Sequence, residues 1–332
     1  MKPKIMMISM KSNLRTMRNI GLLLMFIFHF TAQNVMAQRG KLFNSDNQLS
    51  SNLATQVFQD SNGFIWIATR NGLNIYDGYN FTVIRKTKED NRGLSCNYIN
   101  CITQDARGHI LLGTNNSLLL YTGKSYANIP LLDSKNQPVS TYVTQVYRLK
   151  NNDIAVVTSG YGIMLKKEDA EVCYAMKGEV ENLKFIHKIL EDKQERLWII
   201  LESGKLYRAD KKRKLTKQIP GTETLEAQDI QQDNKGNIYL ATKNDGVYLL
   251  KAGSTVFTKI AGIGNLPIES IYISRDQRLF IGCDGMGIFV YNPTTGFLQN
   301  NPLFSREVNL AKSKVTSIIE DFTGNIWVSM LQ

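Results

Sequence analysis

Polar and hydrophobic positions along this chain come in short blocks with no helical period. A polar turn, Asp60-Ser61-Asn62-Gly63, leads into the apolar run Phe64 to Thr69. Asp at the first position and Gly at the fourth suit a type I turn whose last residue takes a positive φ. The run itself is rich in aromatic and β-branched residues, which makes it a strand by pattern. Gly72 interrupts it, Leu73 to Tyr76 starts a second strand, and Asp77-Gly78 turns that strand into Phe81 to Arg85. With Thr55 to Gln59 ahead of the turn, the unit holds four strands.

The unit recurs. Asp105, Asp233 and Asp321 open close copies. Leu149, Asp192 and Ser274 open degraded ones, in which Asn152, Glu195 and Gln277 stand where the glycine stood. The openings at 60, 105, 149, 192, 233, 274 and 321 are spaced 45, 44, 43, 41, 41 and 47 residues apart. A period of about 40–50 residues with four strands per unit predicts an all-β, seven-bladed β-propeller. The seventh unit has strands at Val315 to Glu320 and Ile326 to Met330 and then stops at Gln332, so the last blade is expected to be incomplete. Lys41 to Asn44 is expected to supply its fourth strand and close the ring, since an open propeller leaves strand edges unpaired.

Trp66, Trp198 and Trp327 hold one equivalent position, mid-strand in an apolar run. That placement suits packing of blade against blade better than a platform for sugars. Tyr76, Tyr121, Tyr207, Tyr248 and Tyr291 recur near the end of the third strand and are assigned to architecture in the same way.

Composition changes the picture at the N-terminus. Lys2, Lys4, Lys11, Arg15 and Arg18 precede a short apolar run, Ile20 to Phe30, and then Val35-Met36-Ala37, with no acidic residue among them. Residues 1–37 are therefore assigned to a cleaved secretory signal peptide, and residues 38–332 to one exported propeller domain. The apolar run is shorter than the roughly 20 residues that span a bilayer, and no other segment is long enough. Removing the five basic residues lowers the formal net charge from +11 to +6. That surplus would favour an anionic partner such as an acidic glycan, although a basic surface with no specific role is the better account of it. Export argues against nucleic acid. Cys96, Cys101, Cys173 and Cys283 match no zinc spacing and are expected as free thiols. The charge run Lys211-Lys212-Arg213-Lys214 falls at a hairpin tip, where it is expected to be solvated.

Three functions compete for such a chain. A propeller glycosidase or lyase needs a convergent acid–base pair. Beyond the leader the only histidines are His109, at the Phe64 position in a second strand, and His187, in a first strand, and the recurring acidic residues are turn formers. No catalytic residue, metal ligand or cofactor is therefore assigned. A binding module needs only the mouth where the loops between second and third strands gather. Those loops carry Arg70 and Asn71, Asn115 and Asn116, Tyr161, Glu202, Lys243 and Asn244, and Asp284. Arg70, Asn115, Tyr161, Lys243 and Asp284 are the candidate ligand-binding residues, able to hydrogen-bond and stack on sugars. A protein-binding scaffold would use the same face for another chain.

The pattern Gln59-Asp60-x-x-Gly63-Phe64-Ile65-Trp66-Ile67-Ala68-Thr69-x-x-Gly72-Leu73-x-x-Tyr76-Asp77-Gly78, preceded by Leu49-Ser50-Ser51-Asn52, resembles the two-component regulator propeller repeat. The resemblance covers roughly residues 41–330. It implies a periplasmic sensor propeller of a hybrid two-component system from Bacteroides-type bacteria, binding oligosaccharides released from complex glycans. Its partners would be a second propeller of a longer chain or a dimer mate. The kinase, receiver and DNA-binding parts of such systems have no counterpart among these residues, so their activities are not carried over.

Overall fold

The computed structural model describes residues 41–87, 93–216, 219–300 and 313–331. The assigned signal peptide lies outside them. Residues 42–300 and 313–331 fall within one compact unit.

Among the described residues every element is β except one short 3₁₀ turn, Glu179–Asn182. Blade 1 runs Ala54–Gln59, Ile65–Thr69, Gly72–Tyr76 and Phe81–Ile84. Blade 2 runs Ile99–Gln104, Ile110–Thr114, Leu118–Tyr121 and Tyr126–Ile129. Blade 3 is Val143–Arg148, Ile154–Thr158, Gly162–Lys166 and Cys173–Ala175. Blade 4 is Ile186–Glu191, Leu197–Leu201, Leu206–Ala209 and Leu215–Thr216. Blade 5 is Ala227–Gln232, Ile238–Thr242, Val247–Leu250 and Thr258–Lys259, and blade 6 is Ile268–Ile273, Leu279–Cys283, Ile288–Asn292 and Phe297–Asn300. Each is an antiparallel meander in chain order. First strands pack against first strands of neighbouring blades, so they form the inner wall.

Two expectations are corrected by this architecture. The described residues form six four-stranded blades, not seven. The seventh sheet is a hairpin of Lys314–Glu320 and Ile326–Leu331. Lys41 to Asn44 is not a strand and adds none to it. Asn44 instead begins a tight turn, its carbonyl accepting from the backbone N–H groups of Gln48 (3.0 Å) and Leu49 (2.8 Å). The segment meets the last hairpin through a ring: Phe43 stacks on Trp327 at 5.8 Å and 7°.

One element has no counterpart in the sequence pattern. A hairpin of Leu131–Leu132 and Pro138–Val139 lies on the outside of blade 3, pairing in parallel with Cys173–Ala175. It moves the sheet edge to a two-residue strand that begins with Pro, a poor template for further pairing.

The repeated turn explains why the units fold alike. Asp60 N–H donates to Phe64 O and Gly63 N–H to Asp60 O, the three-residue hairpin loop with one left-handed residue. Asp60 Oδ1 accepts from the N–H groups of Asn62 (2.9 Å) and Phe64 (3.0 Å), while Oδ2 accepts from the Trp66 indole (2.8 Å). Trp198 and Trp327 donate to Asp192 and Asp321 at the same 2.8 Å. The indole thus shields the carboxylate that organises the turn, and its ring fills the gap to the next blade. Trp66 packs with Leu94 and Ile99, and Trp198 with Ala227 and Phe257. The degraded copies keep the geometry: Asn152, Glu195 and Gln277 have φ of 67°, 59° and 65°, beside 93° at Gly63.

Candidate ligand-binding face

The two ends of the ring are built differently. At the turn end, the residue after the turn-opening position donates its N–H to the last residue of the next blade's first strand. Ser61 bonds Gln104 Oε1 (2.8 Å), Lys150 bonds Glu191 Oε2 (2.7 Å), and Lys193 bonds Gln232 Oε1 (2.8 Å). Arg275 bonds Glu320 Oε2 (2.7 Å), and Phe322 closes the circle onto Gln59 Oε1 (2.7 Å). Where the acceptor is missing, another group serves. Arg148 cannot accept, so its guanidinium donates to Asp105 O (3.4 Å). Ile273 is apolar, so Gln277 from the turn accepts from Asn234 N–H (3.1 Å). Polar groups there are committed to the ring itself.

At the opposite end lie the loops between second and third strands and the segments entering each first strand. The first loop residue donates its N–H to the carbonyl of the residue just before the first strand. Arg70 bonds Leu53, Ser159 bonds Tyr142, Glu202 bonds Phe185, Lys243 bonds Glu226 and Asp284 bonds Pro267, at 2.9–3.0 Å. Backbone pairing therefore fixes where these side chains emerge, while their identities are free to vary.

Tyr98, Tyr142 and Phe185 immediately precede the first strands of blades 2, 3 and 4. Tyr142 is 41% and Phe185 59% exposed, large values for aromatic groups on a packed fold. Tyr98 and Tyr142 meet edge to face at 6.4 Å, and the Arg70 guanidinium lies over the Tyr98 ring at 5.4 Å. Burial, reinforced by Tyr98, pushes the Tyr142 hydroxyl up to about 12, so it is a neutral donor at ordinary pH. Asn115 takes a thiol hydrogen bond from Cys96 at 3.0 Å and is exposed. Tyr161 is exposed on the blade 3 loop, whose Gly160 and Gly162 N–H groups bond Lys184 O beside Phe185. The structure thus draws Arg70, Asn115 and Tyr161 toward one aromatic arc over blades 1–4. Lys243 and Asp284 sit on blades 5 and 6 of the same end, outside it. Tyr98, Tyr142 and Phe185 are not among the residues that the sequence singles out. Their signal is an aromatic residue directly ahead of a first strand, where the first unit has Leu53.

Inside the ring this end is lined by the bulge residue of each first strand. Thr55 Oγ1, Asn100 Nδ2 and Thr144 Oγ1 donate to the next blade's carbonyls at 2.7–3.1 Å. His187, in the same position, is held below its usual pKa by burial and by Lys188. Glu269 accepts from Gln228 (2.9 Å) and pairs with Lys314 (2.6 Å). His109 is at the other end, 3.1 Å from Asp105 Oδ2, where it does what Trp66 does in blade 1.

Among the described residues no helix is long and apolar enough to cross a membrane. All four cysteines are free, and Cys283 is fully buried at the Thr69 position.

Comparison with known proteins gives one consistent picture. The extracellular domain of a putative hybrid two component system from B. thetaiotaomicron matches with a TM-score of 0.73 at 21% identity, over 87% of this chain and 40% of that one. A second such domain from the same organism gives 0.69 at 17%, over 84% and 39%. A virginiamycin B lyase from Staphylococcus aureus gives 0.66 at 14%, over 87% and 95%, so the fold also carries enzymes. A histidine kinase P4 of Formosa agariphila is 35% identical over 82 residues, 24% of this chain and 6% of that protein. The chain thus spans well under half of the sensor proteins it matches. The family profile described as two component regulator propeller matches residues 48–71 and 93–116, the entry loop, first strand, turn and second strand of blades 1 and 2. The chain is a β-propeller in which two units match the two component regulator propeller profile.

Proposed function

We propose that this propeller is a ligand-recognising part of the exported sensor region of a hybrid two-component system, binding oligosaccharide non-covalently at the aromatic end of the ring. The observation that carries the reading is the Tyr98–Tyr142 pair, with Phe185 beside it on the next blade. Flat, part-exposed rings offer apolar contact to a pyranose face, and the hydroxyl groups and neighbouring amides offer hydrogen bonds. The repeats and the extracellular domains of similar fold support the sensor assignment. Non-covalent recognition is favoured because neither histidine is placed for acid–base work: His109 is engaged by Asp105 at the far end and His187 is largely buried. In a longer protein, ligand would act by favouring one of two arrangements of the sensor region.

The test is a melting-temperature screen of the purified protein against oligosaccharide classes. Ligand at ten times its Kd adds about 1.4 kcal/mol, a rise of about 3 °C for a domain of this size. The expected result is a dose-dependent rise with one class, lost in Tyr142→Ala. Sharp melting with no rise from any class overturns the reading.

A further inference from the structure

We propose that the ligand of this end is an anionic oligosaccharide, its carboxylate or sulfate taken by Arg70 and the adjoining sugar ring by Tyr98 and Tyr142. The inference rests on the binding reading above and narrows it to one chemistry. Arg70 is exposed, and its guanidinium is engaged by no carboxylate among the described residues; its contact is the Tyr98 ring. Several other cations are paired with carboxylates. Lys188 pairs with Asp229, Lys314 with Glu269 and Arg196 with Asp192. Arg70 is anchored through its own N–H to Leu53 O (3.0 Å), so the charge is held at the mouth beside the aromatic pair.

A guanidinium carries its N–H donors in a fork that matches carboxylate and sulfate oxygens, and here it lies over an aromatic ring at 5.4 Å. Across the mouth the exposed charges are of both signs: Glu202, Glu226 and Asp284 stand with Lys184, Lys205 and Lys243 on blades 4, 5 and 6. Cation and aromatic faces adjoin over blades 1–3. A neutral sugar would leave the guanidinium without a partner. The polarity also sets a direction: the charged residue of the ligand lies toward blade 1, and the chain continues over Tyr142 toward Phe185 and Tyr161.

The experiment is calorimetric titration of the full chain with three tetrasaccharides: a galacturonate, a chondroitin sulfate and a neutral galactan. The expected result is binding of an acidic probe at least tenfold tighter than the neutral one, weakening as salt is raised. Which acidic probe binds separates carboxylate from sulfate as the anchoring group. Arg70→Gln should weaken the acidic probe by about 30-fold and leave the melting temperature unchanged. Arg70→Lys should recover only part of the loss, because the fork is gone. Tyr79→Ser, at an exposed tip on the far end, should change nothing. Equal binding of the neutral probe, lost in Tyr142→Ala but not in Arg70→Gln, overturns the anionic assignment and keeps the binding reading. Failure of all three probes overturns both.

Discussion

The two ends of this ring are made from the same strands and the same turns of chain, yet they use their polar groups in opposite ways. At the turn end five junctions match a Gln or Glu side-chain oxygen at the end of a first strand to an N–H of the neighbouring blade, so residue identity there follows from the pairing. At the loop end the backbone does the fixing, through the N–H to carbonyl bonds of Arg70, Ser159, Glu202, Lys243 and Asp284. The side chains of those five loop residues take no part in that pairing. Repetition marks groups that hold the ring; variation over a regular backbone marks the groups available for a ligand.

Substitution can break this contrast. The largest effect is expected from Trp198→Ala. The ring is fully buried between blades 4 and 5 and donates to Asp192 (2.8 Å), so urea unfolding should show a loss of about 4 kcal/mol. Tyr142→Ala removes a ring of similar class and should cost under about 1 kcal/mol. A loss above about 2 kcal/mol would make the loop end architectural as well.

Next in size is Asp60→Ala, which strands three donors and should cost about 2–3 kcal/mol by the same assay. The acid limb of stability sharpens the point at Asp321. Burial alone would raise its carboxyl, but hydrogen bonds from Thr323, Trp327 and Asn325 outweigh it and hold it at about 2. Its folded value is depressed, so its contribution is present above the unfolded value of 3.8 and is lost as pH falls toward 2. Asp321→Asn should flatten the unfolding midpoint between about pH 4 and 2. An unchanged acid limb would show that the turn carboxylate is not what holds that end.

Glu195→Gly should act in the other direction. Its φ of 59° suits glycine, and relief of that conformation should gain about 0.5–1 kcal/mol in denaturant unfolding. A net loss would mean that the exposed Glu195–Lys211 ion pair (3.1 Å) outweighs the backbone term. Smallest of all, Lys212→Ala at the basic hairpin tip should stay within about 0.5 kcal/mol and leave ligand binding untouched.

Much of the turn end is legible in the sequence. The Asp-x-x-Gly spacing carries its own physical chemistry, and it locates Leu149 and Ser274 although neither is Asp. The turn survives there because backbone N–H to carbonyl bonds remain. The family profile matches two units while the structure repeats the turn in every one, since geometry persists after residue types drift. Other features have no local signature. Tyr207 and Tyr248 pair with Ile199 and Leu240, two residues earlier in register than Tyr76, which pairs with Ile65, so they do not share its position. Loop length hides that shift. The hairpin at Leu131–Val139 is too short to show a strand pattern. The stretch from Lys41 to Asn44 has the pattern of a pairing strand, but it is no strand, and its Phe43 ring stacks on Trp327 and meets Tyr76 and Phe81 of blade 1. The aromatic arc escapes sequence reading because it occupies one position in three blades and does not recur around the ring.

The seam between blade 1 and the last hairpin uses the kinds of bond found at other junctions: Thr316 Oγ1 to Ala54 O (2.9 Å) and Phe322 N–H to Gln59 Oε1 (2.7 Å). What differs is distance along the chain, 262 and 263 residues at the seam against 44 for Thr55 to Ile99. Loop-closure entropy grows with the logarithm of that separation, a handicap of about 1.5 kcal/mol relative to a junction between successive blades. During folding the seam is therefore expected to form last, after the blades have stacked in order. In the native state it is the hinge at which the ring springs open most often, and the Phe322 amide should exchange with deuterium ahead of the matching amide of Ser61.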